Sequence, residues 1–136
     1  YKNGFLNKQK RDVRATDLIE KFEINCTGPN APLWSLSGGN QQRVVLARET
    51  SDKPIVLVAS QPTRGLDVGA IEYMTRQLRS LADSGVGVLL ISSELDEILS
   101  LSDRIGVIFR GKIADSMRRQ DADRENLGLL MGRGEL

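Results

Sequence analysis

Leu36-Ser37-Gly38-Gly39-Asn40-Gln41-Gln42-Arg43 is the stretch on which the reading of this chain turns. Serine is a favoured helix N-cap, and a helix N-terminus leaves backbone N–H groups without intrahelical acceptors. The two glycines remove the Cβ atoms that would hold a ligand off those groups. An anion such as phosphate can then sit against them and against the positive end of the helix dipole. Taken alone, Ser37-Gly38-Gly39 is also accounted for by an ordinary loop entering an amphipathic helix.

Outward from this stretch the pattern is alternating. Val44, Val45, Leu46 and Ala47 give a helix over Gln41 to Thr50 an apolar side, so that packing aims its N-terminus outward. Asp52-Lys53-Pro54 ends that helix. Ile55 to Ala59, Val86 to Ile91 and Ile105 to Phe109 are short aliphatic runs typical of strands covered on both faces. Between them lie a helical pattern after Asp67, with Ile71, Met74, Leu78 and Leu81 along one side, and a shorter one from Glu94 to Leu101. Strands separated by helices need crossovers, so a parallel α/β sheet is expected. Lys112 to Ala114 forms a small hairpin partner after the Arg110-Gly111 turn, Asp121 to Met131 a last helix and Gly132 to Leu136 a frayed end. Upstream, Tyr1 to Arg14 reads as a solvated basic segment and Ala15 to Phe22 as a short amphipathic helix. Asn25 to Leu36, with Gly28, Pro29, Asn30 and Pro32, is the loop that delivers the chain to Ser37.

Composition removes several function classes. The 136 residues suit one compact domain or part of a larger one. Nineteen Lys and Arg against 18 Asp and Glu leave a net charge of +1, so no strong field points to nucleic acid or anionic lipid. No apolar run is long enough to span a bilayer and the N-terminus lacks a signal-peptide core, which predicts a soluble chain. Histidine is absent and Cys26 is the single cysteine. That excludes an internal disulfide, a Ser-His-Asp triad and histidine-ligated metals, and fits a reducing, cytosolic setting with Cys26 a packed or incidental thiol.

Taken as eight residues, Leu36 to Arg43 resembles the signature motif of ATP-binding-cassette (ABC) ATPases, in the LSGGNQQ form common among importers of simple sugars and nucleosides. Nearly the whole chain follows suit. Ile55 to Ala59 with Ser60-Gln61-Pro62-Thr63 resembles the Walker B segment, Gly65-Leu66-Asp67 the D-loop, and Ile91-Ser92-Ser93-Glu94 the switch loop. QPTRGLDVGAIE and SSELDEILSLSDRI are similar to the second domain of tandem ATPases of that importer type. The closing run Glu125 to Met131 resembles the nucleoside-type members. The resemblance implies a partial P-loop NTPase fold of the ABC ATPase kind, a parallel sheet flanked by helices with a remnant of the helical subdomain. Residues 1–50 would carry the helical, signature-bearing segment and 51–136 the C-terminal part of the α/β core.

Departures from the family pattern sharpen the expectation. No Walker A loop, G-x-x-x-x-G-K-[ST], occurs in these residues, so the chain is expected to be the C-terminal part of a domain. Where the Walker B strand ends in Asp and Glu, Ser60 and Gln61 stand, and Ser93 replaces the switch histidine. Loss of a general base alone removes roughly 10²- to 10⁴-fold of rate. Ser93 with Asp96 is expected instead to form a capping box for the following helix.

In the head-to-tail dimers of this family, the resemblance implies, this chain's own half-site is degenerate while its signature completes a partner's site. Ser37, Gly38, Gly39 and Asn40 are then the nucleotide-binding residues, with no catalytic and no metal-ligating residue on this chain. ATP and Mg²⁺ would be held mainly by the partner domain, and the isolated chain is not expected to hydrolyse ATP. Asp67 would approach that partner's Walker A loop, or serve simply as the N-cap of the next helix. The implied partners are the first nucleotide-binding domain of the same polypeptide, transmembrane permease subunits and, indirectly, a solute-binding protein, with no nucleic acid. The implied location is cytoplasmic, peripheral to the inner face of the cell membrane. A soluble ABC ATPase of chromosomes, DNA repair or ribosomes would keep its carboxylates and histidine and bring long insertions, which this chain lacks. A pure interaction module would fit the missing Walker A loop, but an open parallel sheet exposes an edge and apolar faces that natural chains avoid.

Overall fold

The computed structural model describes residues 7–135; the readings made for Tyr1 to Leu6 and for Leu136 lie outside them. The order of elements is α1 (Lys8–Lys21), α2 (Gly38–Thr50), β1 (Val56–Ser60), α3 (Val68–Asp83), β2 (Gly87–Ile91), α4 (Leu95–Leu101), β3 (Arg104–Phe109), β4 (Lys112–Arg118) and α5 (Arg124–Arg133).

α1 starts at Lys8 rather than Ala15, because the Asn7 side chain accepts from the Lys10 N–H at 3.0 Å and caps it. Lys, Gln and Arg are good helix formers whose polar side chains leave the first turns of the helix without an apolar stripe. The helix stops at Phe22, and Glu23 turns the chain at a φ of 52°.

β1 and β2 pair in parallel, from Val56 opposite Gly87 to Ser60 opposite Ile91, with α3 as the crossover. β3 does not join them. It pairs antiparallel with β4, from Arg104 opposite Arg118 to Phe109 opposite Lys112, with a bulge at Val107/Ile108. The hairpin partner expected over Lys112 to Ala114 thus extends to Arg118. The two linking residues, Arg110 and Gly111, both have positive φ, 47° and 78°, as the tight turn that matches strand twist requires.

Coverage on both strand faces is not observed. Leu57 is buried, whereas Val56, Val58, Leu89 and Ile91 on the opposite side are between 46% and 61% exposed. The inward side meets a core of Phe22, Ile24, Leu46, Ala47, Leu57, Tyr73, Met74 and Leu78, which joins residues from both sides of position 50. Burying each large aliphatic there contributes about 1.5–3 kcal/mol before entropy is counted. On α3 the inward residues are Ala70, Tyr73, Met74 and Leu78; Ile71 faces out and Leu81 is half-buried, so the buried stripe is rotated from the expected one. On α2, Leu46 and Ala47 are buried while Val45 is exposed. Ile105 and Val107 of β3 make a second cluster with Leu127 and Leu130 of α5. Asp123 caps α5, which runs on to Arg133 and ends at Gly134 in the left-handed conformation, φ 81°, against Phe109.

Candidate functional site

Ser37 is the N-cap of α2, and the first intrahelical bond runs from the Gln41 N–H to the Ser37 carbonyl at 2.9 Å. The helix therefore begins at Gly38, directly after the serine cap and three residues before the Gln41 start read from the apolar side. Gln41 also reaches back, its Nε2 donating to the Leu36 carbonyl at 2.9 Å, and Leu36 packs against the core. Arg43 locks the other flank. Its guanidinium stacks 3.7 Å from the Tyr73 ring centre and donates to the Glu23 carbonyl at 2.6 Å. Tyr73 is 1% exposed and donates its hydroxyl to the Phe22 carbonyl at 2.8 Å, while burial pushes its phenol above the ordinary range. The end of α1, the first turns of α2 and the middle of α3 are thus one hydrogen-bonded unit.

At the exposed tip, the two glycines have different reasons to be glycine. A Cβ on Gly38 would meet only the Leu66 Cδ2 atom, at 4.0 Å, so its surroundings are open. A Cβ on Gly39 would lie 2.9 Å from the Ala70 Cβ, so Gly39 is required for α2 to approach α3. Among the described residues the Gly38 and Gly39 N–H groups find no acceptor, which is the arrangement that accepts an anion. Asn40 sits differently from its neighbours. Its Nδ2 donates to the Ser37 hydroxyl oxygen at 2.9 Å and its Oδ1 accepts from the Asn25 N–H at 2.7 Å, so the carboxamide is engaged inside the protein. Cys26, on the same loop, is a half-buried thiol packed against the core, consistent with a packing role.

The sequence-predicted loops after the parallel strands also come together. Gln61 follows Ser60 at a φ of 49°, with its N–H held to the Ile91 carbonyl at 2.7 Å. Its Nε2 lies 3.4 Å from the Ser93 hydroxyl. The expected capping box at Ser93 and Asp96 does not form. Glu94 is the N-cap residue, its N–H donates to the Ser92 hydroxyl at 3.0 Å, and Asp96 pairs with Arg124. Ser93 is turned toward Gln61 because the β1–β2 register brings the two loops alongside. Asp67 is the N-cap of α3, accepting from the Ala70 N–H at 2.9 Å. Glu97, missed in the sequence, is buried with both carboxylate oxygens unpartnered among the described residues. Its place in an acidic, amphipathic-looking run gave no signal of burial.

No family model matches the chain. Individual proteins do. It is 47% identical over 135 residues to the nucleoside import ATP-binding protein NupA of Lactococcus lactis, covering 99% of this chain and 27% of that one. The guanosine import ATP-binding protein NupO of Bacillus subtilis is 45% identical over 128 residues, 94% of this chain and 25% of its own length. The ribose import ATP-binding protein RbsA of Streptococcus agalactiae is 41% identical over 126 residues, 93% of this chain and 26% of its own. The chain therefore spans about a quarter of the length of the curated relatives it matches. Among solved structures, the ADP form of the ATP-binding cassette MJ1267 superposes with a TM-score of 0.69 at 22% identity, over 98% of this chain and 50% of that one. The dimeric cassette MJ0796 bound to ADP and phosphate gives 0.70 at 24% identity, over 86% and 50%.

Proposed function

This chain belongs to the ATP-binding-cassette ATPases, and we propose that it serves an importer of nucleosides or simple sugars and supplies the signature half of an ATP site completed by a facing nucleotide-binding domain. Ser37 donates its hydroxyl, and Gly38 and Gly39 their N–H groups, to the terminal phosphate of ATP held on that partner. Donors fixed in this way stabilise charge as it spreads over the transferred phosphoryl group. Residues 1–50 act as the signature-bearing helical segment and 51–136 as the C-terminal part of the ATPase core.

The observation that carries the reading is the contrast between two ends of the chain's own machinery. The α2 N-terminus keeps its cap and unspent N–H groups, whereas the catalytic end holds an amide against a hydroxyl, Gln61 against Ser93. Neither side chain takes up a proton from an attacking water at neutral pH. Ser60 brings no charge to a cation, and in this reading Mg²⁺ belongs to the facing domain, where it would neutralise phosphate charge when bound.

The assembly served is an importer of nucleosides or simple sugars, the solutes for which the relatives are named. Its other parts are permease subunits and a solute-binding protein, with the ATPase on the cytoplasmic side. No helix among the described residues is long and apolar enough to cross a membrane. The test is Ser37→Arg in the full-length protein, which puts a bulky cation where phosphate must approach. ATPase activity and solute uptake are both expected to be lost; retention of both would refute the assignment.

A further inference from the structure

We infer that Asn40 is a positioning residue whose carboxamide fixes the direction in which Ser37 donates its hydroxyl hydrogen. The inference rests on the reading of Ser37 as a phosphate donor. A serine hydroxyl has one O–H to give and two lone pairs with which to receive. At Ser37 both lone pairs face donors from Asn40, the Nδ2–H at 2.9 Å and the backbone N–H at 3.4 Å. The one remaining direction belongs to the O–H, and Ser37 and Gly38 are both exposed, so a ligand can reach it.

The amide cannot turn over to undo this. The Asn25 N–H donates to Oδ1 at 2.7 Å, and a flipped carboxamide would set an NH₂ group against that N–H. Nδ2 must therefore face Ser37. A serine cap without such a neighbour accepts from the helix through one lone pair, and its O–H rotates between the two positions that remain. Here the acceptor role is filled and the donor role is preset, which is what a developing phosphoryl charge exploits without reorganisation. The group recognised is an acceptor-only oxygen, such as that of a terminal phosphate. The same bonds run from Ser37 through Asn40 to the backbone of Asn25, so the loop after α1 sets the hydroxyl's direction.

The experiment measures steady-state ATPase activity of the full-length protein with its partner subunits, for Ser37→Ala, Asn40→Ala, Asn40→Asp and the Ser37→Ala/Asn40→Asp pair. Asp keeps the acceptor for Asn25 but turns a carboxylate toward Ser37, capturing the hydroxyl hydrogen. Ala removes both bonds and lets the hydroxyl rotate. Asn40→Asp is expected to lower kcat by about 10²-fold, the usual loss for one transition-state donor. Asn40→Ala is expected to lower it by less than about tenfold, the worth of an ordinary hydrogen bond. KM for ATP should stay within about threefold, since the contact matters in the transition state. The Asp variant should recover as the pH is lowered and its carboxyl gains a proton to donate. In the Ser37→Ala background it should cost nothing further.

A brace that only held the loop would give the opposite order, Ala worse than Asp. That order, or additive losses, overturns the inference and leaves Ser37 as a donor; an inert Ser37→Ala overturns the function beneath it. Should Asn40→Asp fail to fold, the cycle of Asn40→Ala with Ser37→Ala carries the same decision: non-additive losses support the inference and additive losses refute it.

Discussion

Adding one methyl group to either glycine of the signature should separate stability from chemistry. At Gly39 the new carbon would lie 2.9 Å from the Ala70 Cβ, where two methyl carbons rest at about 3.5–4.0 Å. Both helices are packed at this point, Ala70 being buried, so the clash is relieved only by moving α2 off α3. Overpacking of this kind costs about 1–3 kcal/mol. Exchanging Gly for Ala within a helix returns about 0.5–1 kcal/mol, leaving Gly39→Ala with a net cost of about 0–2.5 kcal/mol. At Gly38 the methyl meets only Leu66 at an ordinary 4.0 Å, so stability should hold or rise slightly. Its methyl nevertheless stands where phosphate oxygens would approach the N–H groups. Thermal unfolding and ATPase rate of the two full-length variants form the assay. Gly39→Ala should lower Tm; Gly38→Ala should keep Tm and lose at least about tenfold in kcat, one hydrogen bond's worth. A Tm for Gly39→Ala equal to or above that of Gly38→Ala would refute the close contact, and full activity of Gly38→Ala would remove the nucleotide from this helix end.

Three further outcomes are expected. Tyr73→Phe leaves the Phe22 carbonyl buried without its donor and should cost about 1–3 kcal/mol in denaturant titration. Because the native phenol is raised above its ordinary 10.0, the unfolded chain releases that proton first; stability should fall as pH rises above 10, and Tyr73→Phe should flatten that part of the profile. Glu97→Gln replaces a buried carboxylate that has no partner among the described residues by a neutral group and should leave the 136-residue chain at least as stable; a clear fall in its unfolding midpoint would reveal a partner for the charge. Gln61→Ala should leave the ATPase rate of the full-length protein within about twofold, since an amide supplies no general base, and a loss beyond about tenfold would mean this half-site turns over.

The signature, the strands and the parallel pair were legible because each rests on local chemistry: a capped glycine helix start, aliphatic runs, and crossovers that demand a helix. What the sequence hid was decided by tertiary context. Lys8 to Arg14 are helical through cap and propensity, with no apolar stripe to announce them. The inward stripe of α3 turned on Tyr73, whose hydroxyl looked polar until Phe22 supplied its acceptor. Ser93 looked like a cap because spacing alone cannot see that the β1–β2 register delivers it to Gln61. Asn40 was legible as a polar member of the site, but its inward engagement depends on Asn25, fifteen positions earlier. β3 carries the same aliphatic pattern as β1, and only its tight turn into β4 decides its partner.

The absence of a side chain on Gly39 opposite the Ala70 methyl has a consequence for how the two helix starts are arranged. Gly38 faces Leu66 and Gly39 faces Ala70, so the Ser37 cap of α2 and the Asp67 cap of α3 lie side by side on the surface of the chain. A larger residue at position 39 would part the two caps as well as the two helices, so one missing methyl group sets the spacing of two helix starts at once.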